Sequence, residues 1–188
     1  MHYEFQKKIS ALEKAGLNLF CSIPAIHLNN ENKIFLKKYA IELDEKDVLC
    51  LVAHGGRTLW EKLPAPPIDD YSVEQIKNSF SDARILFPGH QLYPLQQIGR
   101  MMNMGRPSPI GIDLNEDFGP WFAYRCLFIT REPIPQRMFK DWVSACLSCK
   151  DKSCLLYNDF YQARSACPYK AEHRYSDEQL RYHKSQLP

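Results

Sequence analysis

The chain has 188 residues, 45% of them apolar, which suits one compact domain with a real core. Its 24 Lys and Arg nearly balance 22 Asp and Glu, and a net charge of +2 supplies no broad field to attract nucleic acid or an anionic membrane. No apolar stretch approaches the roughly 20 residues that span a bilayer, and MHYEFQKKIS lacks the apolar run of a signal peptide, so a cytoplasmic protein is expected.

In chain order, Phe5, Ile9 and Leu12 share one face of an opening helix that Gly16 would stop. Asp47 to Ala53 (DVLCLVA) is a continuous apolar run suited to a buried strand, broken by His54, Gly55 and Gly56 before a helical RTLWEKL. Pro64, Pro66 and Pro67 make a stiff connection. Beyond it, Val73, Ile76 and Phe80 line a helix over Ser72 to Phe80, and ARILFPG reads as a short strand. Ile110 to Leu114 and Trp121 to Thr130 read as two strands joined by the turn NEDFGP, which should pair antiparallel. Strict alternation in the second places Trp121, Ala123, Arg125, Leu127 and Ile129 on one face, and Phe122, Tyr124, Cys126 and Phe128 on the other. The pattern gives an α+β domain, with a core over 1–135 and a cysteine-rich tail over 136–188 packed on it. Within the tail, Ser176 and Gln179 have capping-box spacing and should start a helix.

Seven cysteines form an odd set, and four of them crowd into the tail. That fits metal binding better than a disulfide framework. Cys146, Cys149 and Cys154 follow a CxxCx4C spacing, and Cys167 precedes Pro168. Four thiolates complete a tetrahedral set, and a terminal Cys-Pro belongs to ferredoxin-type ligation, although the CxxCxxCxxxCP spacing is absent. An iron-sulfur cluster is the first expectation and zinc its competitor. Cys21, Cys50 and Cys126 sit in apolar, strand-like settings and read as small buried hydrophobes.

Arg125, among apolar strand residues, needs either a carboxylate of this chain, such as Glu116, or an anionic ligand. Trp121, Phe122 and Tyr124 are candidates for the wall of a flat cofactor site. Arg57 follows a glycine turn and could join a phosphate site, but surface placement is the simpler reading. His54, His90, His173 and His183 show no paired metal spacing and read as turn or surface residues.

Phe118 to Arg125 (FGPWFAYR) and Glu172 to His183 (EHRYSDEQLRYH) resemble the MMACHC-like cobalamin-processing family. The four-cysteine tail is similar to that of a bacterial ferredoxin-like branch of the family. The resemblance covers residues 118–125 and 146–183, is slight over 47–114 and does not extend before residue 40. It implies a flavin-nitroreductase-like α+β fold, an antiparallel sheet flanked by helices. It also implies a pocket lined by Trp121, Phe122, Tyr124 and Arg125 for cobalamin or a flavin, and Arg125 with Arg174 as clamps for the carboxylates of glutathione. A 4Fe-4S cluster on Cys146, Cys149, Cys154 and Cys167 beside that pocket would make the chain an electron-transfer protein acting on a corrinoid, served by a redox partner.

Overall fold

The structure is a computed structural model that describes residues 2–63 and 67–185. Among the described residues, seven helices, a four-stranded sheet and a two-stranded one define an α+β fold. The elements are α1 (His2–Lys14), β1 (Leu19–Pro24), α2 (Asn30–Lys37), β2 (Val48–Gly55), α3 (Thr58–Lys62), α4 (Ile68–Ser79), β3 (Arg84–Phe87), α5 (Leu95–Met101), β4 (Arg106–Pro107), β5 (Asp113–Leu114), β6 (Phe122–Thr130), α6 (Phe160–Ser165) and α7 (Asp177–Ser185). Among the described residues, no helix is long and apolar enough to cross a membrane.

The main sheet runs β1-β2-β6-β3, antiparallel throughout. Every residue of β2 is buried, as its unbroken apolar run requires when helices cover both faces of a sheet. On one face Val48, Cys50 and Val52 pack with Phe5, Ile9 and Leu12 of α1 and with Ile68 and Ile76 of α4. On the other, Leu49, Leu51 and Ala53 meet Leu36 of α2 and Ile98 of α5. Each such Leu, Ile or Phe withdraws enough apolar surface to contribute about 1.5–3 kcal/mol before the entropy of ordering is subtracted. The edge at β1 is covered by the chain itself. The main-chain groups of Ser22 and Arg137 exchange hydrogen bonds of 2.8 and 2.9 Å, which docks the start of the tail against an otherwise open strand.

The opening helix, the β2 strand and the α7 helix follow the sequence pattern. At α7 the Gln179 N–H donates to Ser176 Oγ at 3.1 Å, which is the first half of the expected capping box. The expectation for Ile110 to Leu114 is corrected. Only Asp113–Leu114 is a strand, and it pairs with Arg106–Pro107, while β6 takes β2 and β3 as neighbours. Asn115 and Gly119 close the intervening turn through a single bridge, and the chain then leaves in a new direction. Pro64 and Pro66 of the anticipated stiff connection lie outside the described residues.

The largest correction concerns the faces of β6. Cys126 pairs with Val52 and Tyr124 with Ala53, so Arg125 is an extra residue, a β-bulge. The bulge inverts the alternation. Phe122 and Tyr124 therefore lie on the same side as Leu127 and Ile129, whereas Cys126 and Phe128 lie on the side of α1 and α4.

Candidate functional site

The tail cysteines are positioned by short polar turns. Ser144 caps a 3-10 turn by accepting the Cys146 N–H at 3.3 Å, and that turn brings Cys146 and Cys149 near each other. Asp151 accepts the Ser153 N–H at 2.8 Å and starts the next 3-10 turn, Ser153–Leu156, which carries Cys154. The Ser153 hydroxyl donates to Ala166 O at 2.8 Å and ties this segment to Cys167, at the end of α6.

All four cysteines line one cavity of about 240 Å³, together with Pro109, Leu114, Pro168 and Tyr169 and with the polar Asp151 and Lys152. Burial pushes the Cys146 thiol up, the Ser144 hydroxyl draws it back, and Cys149 and Cys154 push it further up. Burial likewise raises Cys167, against a main-chain N–H of Tyr169 that favours the thiolate. The other three tail cysteines each push Cys167 up as well, so the four sulfurs sense one another. Without a cation they cannot all ionise, because like charges close together oppose it. A cationic centre would remove that opposition and release protons as it bound.

The donor set fits such a centre. Sulfurs about 2.3 Å from a shared zinc ion lie within ~3.8 Å of one another. Among the described residues no three of His, Cys, Asp or Glu converge tightly enough to grip a single ion as they stand.

A second concentration of chemistry lies where the two stretches flanking the cysteines meet. The Phe118 ring lies over Gly55, where a Cβ would overlap it, and His173 packs on Phe118 at 4.8 Å between centroids. Gly119 has φ +56° and faces Tyr169 O, 2.6 Å from where its Cβ would stand, so both conformation and space demand glycine. The Gly56 N–H donates to Trp121 O at 2.8 Å. Residues 118–121 are thus clamped between the glycine turn after β2 and the segment leading into α7.

Behind this clamp is a buried cationic knot. Arg125 donates from Nε to His54 Nδ1 at 2.9 Å, and its nearest carboxylate is Asp69 of α4 at 3.6 Å. Glu116, the partner considered from sequence, is not that carboxylate; its backbone oxygen accepts Tyr169 Oη at 2.9 Å. Tyr175 stacks on His54 and meets Trp121 and His183, each at 5.6 Å between ring centroids. Arg164 covers Trp121 and Tyr175 from 5.0 and 4.4 Å and donates to Pro120 O and Phe122 O at 2.8 and 3.3 Å. Burial first, then Arg125, His183 and Arg164, holds His54 far below the usual imidazole range. His183 is brought down to about 3 by burial, then Arg125 and Arg164. Both imidazoles are neutral.

The expectation that these histidines are turn or surface residues is corrected for His54, which is fully buried in β2, and for His183, whose Nε2 is sealed from solvent. Burial also lowers Arg125, partly restored by Tyr175 and Asp69.

The proposed pocket wall divides across the sheet. Trp121 and Arg125 belong to the knot, while Phe122 and Tyr124 pack edge to face at 5.2 Å on the opposite side. Tyr124 there donates to Asp113 at 2.8 Å, and Asp113 also takes Arg100 Nε at 2.7 Å, a buried polar triad that secures β5. Arg174 lies elsewhere again. It is half-exposed in a groove between α6 and α7, 3.6 Å from Asp177, and its carbonyl accepts the Nε–H of the exposed Arg57 at 2.6 Å. A single cavity holding both Arg125 and Arg174 is not what this arrangement provides. The residues that sequence reading missed are Arg164 and Tyr175. Arg164 stands three positions before Cys167, whose N–H donates to Arg164 O at 3.3 Å, so proximity to the cysteine motif was the available signal.

Fold and site together define an α+β protein with four thiols around one cavity and a buried cationic knot one helix away. No protein-family model matches the chain, and no curated protein matches it.

Proposed function

We propose that the chain is an iron-sulfur redox protein of flavin-nitroreductase-like architecture. In this reading Cys146, Cys149, Cys154 and Cys167 hold a cluster, of the 4Fe-4S type, and the protein exchanges single electrons with a corrinoid or flavin. The observation that carries this reading is that four thiols from three successive segments line one cavity. A cluster of several atoms fills such a volume, and when bound it supplies one-electron chemistry at a potential tuned by the protein.

The chain's own residues then have separate tasks. The cysteines give up their protons and ligate. The Tyr169 N–H and Ser144 hydroxyl, which already favour thiolate at Cys167 and Cys146, would stabilise charge on the sulfurs. Pro109, Leu114 and Tyr169 give the cavity an apolar side. The same tail leaves Val143, Leu147 and Leu156 largely exposed, an apolar surface of the kind that suits a transient redox partner.

The corrinoid assignment rests on the resemblance of residues 118–125 and 172–183 to the cobalamin-processing family. It is supported by the packing of those two stretches against each other through Phe118, His173, Trp121 and Tyr175. The test is anaerobic purification or reconstitution, with analysis of iron and acid-labile sulfide, followed by titration with cobalamin and with flavin. Brown protein containing both iron and sulfide is expected. Colourless protein with one zinc per chain would replace the redox reading with a stapled binding or trafficking protein. Iron without corrinoid binding would retain the redox protein and remove the substrate class.

A further inference from the structure

Five buried polar atoms lack a hydrogen-bond partner among the described residues: His54 Nε2, Trp121 Nε1, Tyr175 Oη, Gln179 Oε1 and His183 Nε2. They come from β2, the entry to β6, the segment before α7, and α7 itself. Four of the five belong to one group of touching rings, with Tyr175 against each of the other three. Gln179 lies one helical turn before His183 on α7. Buried polar groups are almost always satisfied, so a concentration of orphans in one place points to a missing partner.

The polarity of the gap identifies that partner. His54 Nδ1 accepts from Arg125, so in the neutral ring the proton sits on Nε2, which is a donor. The Trp121 indole can only donate, and the Tyr175 hydroxyl is free to donate. The two guanidiniums sense each other and have Asp69 alone as a carboxylate within salt-bridge distance of Arg125. Arg164 spends Nε and Nη2 on main-chain carbonyls and, among the described residues, forms no salt bridge with a carboxylate. Of the remaining orphans Gln179 Oε1 is an acceptor and His183 Nε2 is a donor or an acceptor according to its tautomer, so the surplus of donors lies at His54, Trp121 and Tyr175, beside the two guanidiniums.

We propose that the group of orphan atoms around Tyr175 is a binding site for a small inorganic anion, held by His54 Nε2, Trp121 Nε1, Tyr175 Oη and the adjoining Arg125 and Arg164. Each orphan atom is sealed from solvent. The occupant is thus an ion enclosed between α7 and the sheet, not a ligand whose body extends outward. Bound there, it joins α7 to β2 and β6 and holds the C-terminal helix closed over Arg125. The site uses none of the cysteines, so it stands or falls independently of the metal reading.

The experiment uses the full chain, exchanged into sodium gluconate and titrated separately with chloride and inorganic phosphate at constant ionic strength. Nitrogen-15 NMR follows the Trp121 indole and the His54 and His183 rings, and thermal unfolding is measured in parallel. A saturable shift of the Trp121 and His54 signals with one ion, and a rise in unfolding temperature that tracks it, are expected. Which ion acts separates a halide site from an oxyanion site. Tyr175→Phe keeps the ring and removes only the hydroxyl, and it should weaken binding at least tenfold while the spectrum stays dispersed. Trp121→Phe should do the same. If neither ion gives a saturable change, or if the ring N–H protons show cross-peaks to slowly exchanging water, the cluster is a buried water site and the proposal is overturned.

Discussion

The seven cysteines belong to two regions that the fold treats in opposite ways. Cys21, Cys50 and Cys126 lie on three adjacent strands, wholly buried, and desolvation raises all three thiols, Cys21 and Cys126 to about 12. Cys146, Cys149 and Cys154 are only partly covered, sit on polar turns and share a cavity with Cys167. The same side chain is packing material where helices cover a sheet on both faces, and a candidate ligand where short turns hold it beside other sulfurs. Environment, not residue type, separates the two roles.

The strongest way to break this comparison is through metal. Cys149→Ser or Cys167→Ser should abolish stable iron and sulfide incorporation on anaerobic reconstitution, whereas Cys50→Ala should retain full stoichiometry. Equal iron content in the two sets would show that the tail thiols are not the ligands.

Stability should divide the other way. Cys50→Ser exchanges a thiol that donates to Val48 O at 3.9 Å for a shorter, more strongly hydrated hydroxyl in the core and should cost about 1–3 kcal/mol in urea unfolding. Cys149→Ser in the metal-free chain should stay within roughly 0.5 kcal/mol of the parent, as expected of a partly exposed turn. A large loss for Cys149→Ser without metal would make the tail structural in its own right.

pH should reveal the buried groups from both sides. Between the ordinary thiol value of 9.0 and about 12, the unfolded chain has lost the protons that native Cys21 and Cys126 still hold. Stability is therefore full below pH 9 and falls as pH rises through that window. His54 and His183 act in the acid range. Their native values lie below the ordinary 6.5, His183 at about 3, so below pH 6.5 the unfolded chain binds protons that the native chain refuses. Stability is full above 6.5 and declines toward pH 3, by up to about 1.4 kcal/mol per pH unit for each imidazole. Urea midpoints measured from pH 4 to 7 on the parent and His183→Gln should differ in slope by about one proton.

The smallest effect is kinetic. At pH 8 under native, metal-free conditions, iodoacetamide should label tail thiols and leave Cys21, Cys50 and Cys126 unlabelled until denaturant is added, which mass spectrometry of peptides resolves. Labelling of Cys50 without denaturant would require the central strand to open on that timescale.

Several features were legible in the residues themselves. The spacing of Phe5, Ile9 and Leu12 located the opening helix, the run at DVLCLVA located a strand buried on both faces, and Ser176 located the start of α7. Each depends on neighbours within a few positions, where periodicity and capping act. The division of cysteines into packing and tail groups was also visible, because it follows from local apolar context and spacing.

What the residues could not disclose depends on pairing across the chain. Alternation along β6 fails at Arg125 because β2, some seventy residues earlier, sets a register with one residue to spare. That bulge moves Phe122 and Tyr124 to the opposite face from Cys126, and so removes them from a wall shared with Trp121 and Arg125. The strand order likewise sends Asp113–Leu114 to Arg106–Pro107 instead of to β6. Arg164 carries no periodic signal at all. Its burial exists only because α6 docks beside Trp121 and Tyr175.

Taken by itself, the sequence determined the opening helix, the β2 strand, the start of α7, the cysteine groups and the α+β class, since these arise from short-range pattern and composition. Tertiary structure alone decided that the four tail cysteines share a cavity and that His54, Trp121, Tyr175 and two arginines form one buried knot. Those groups are brought together by strand register and helix docking, which no local window of residues contains.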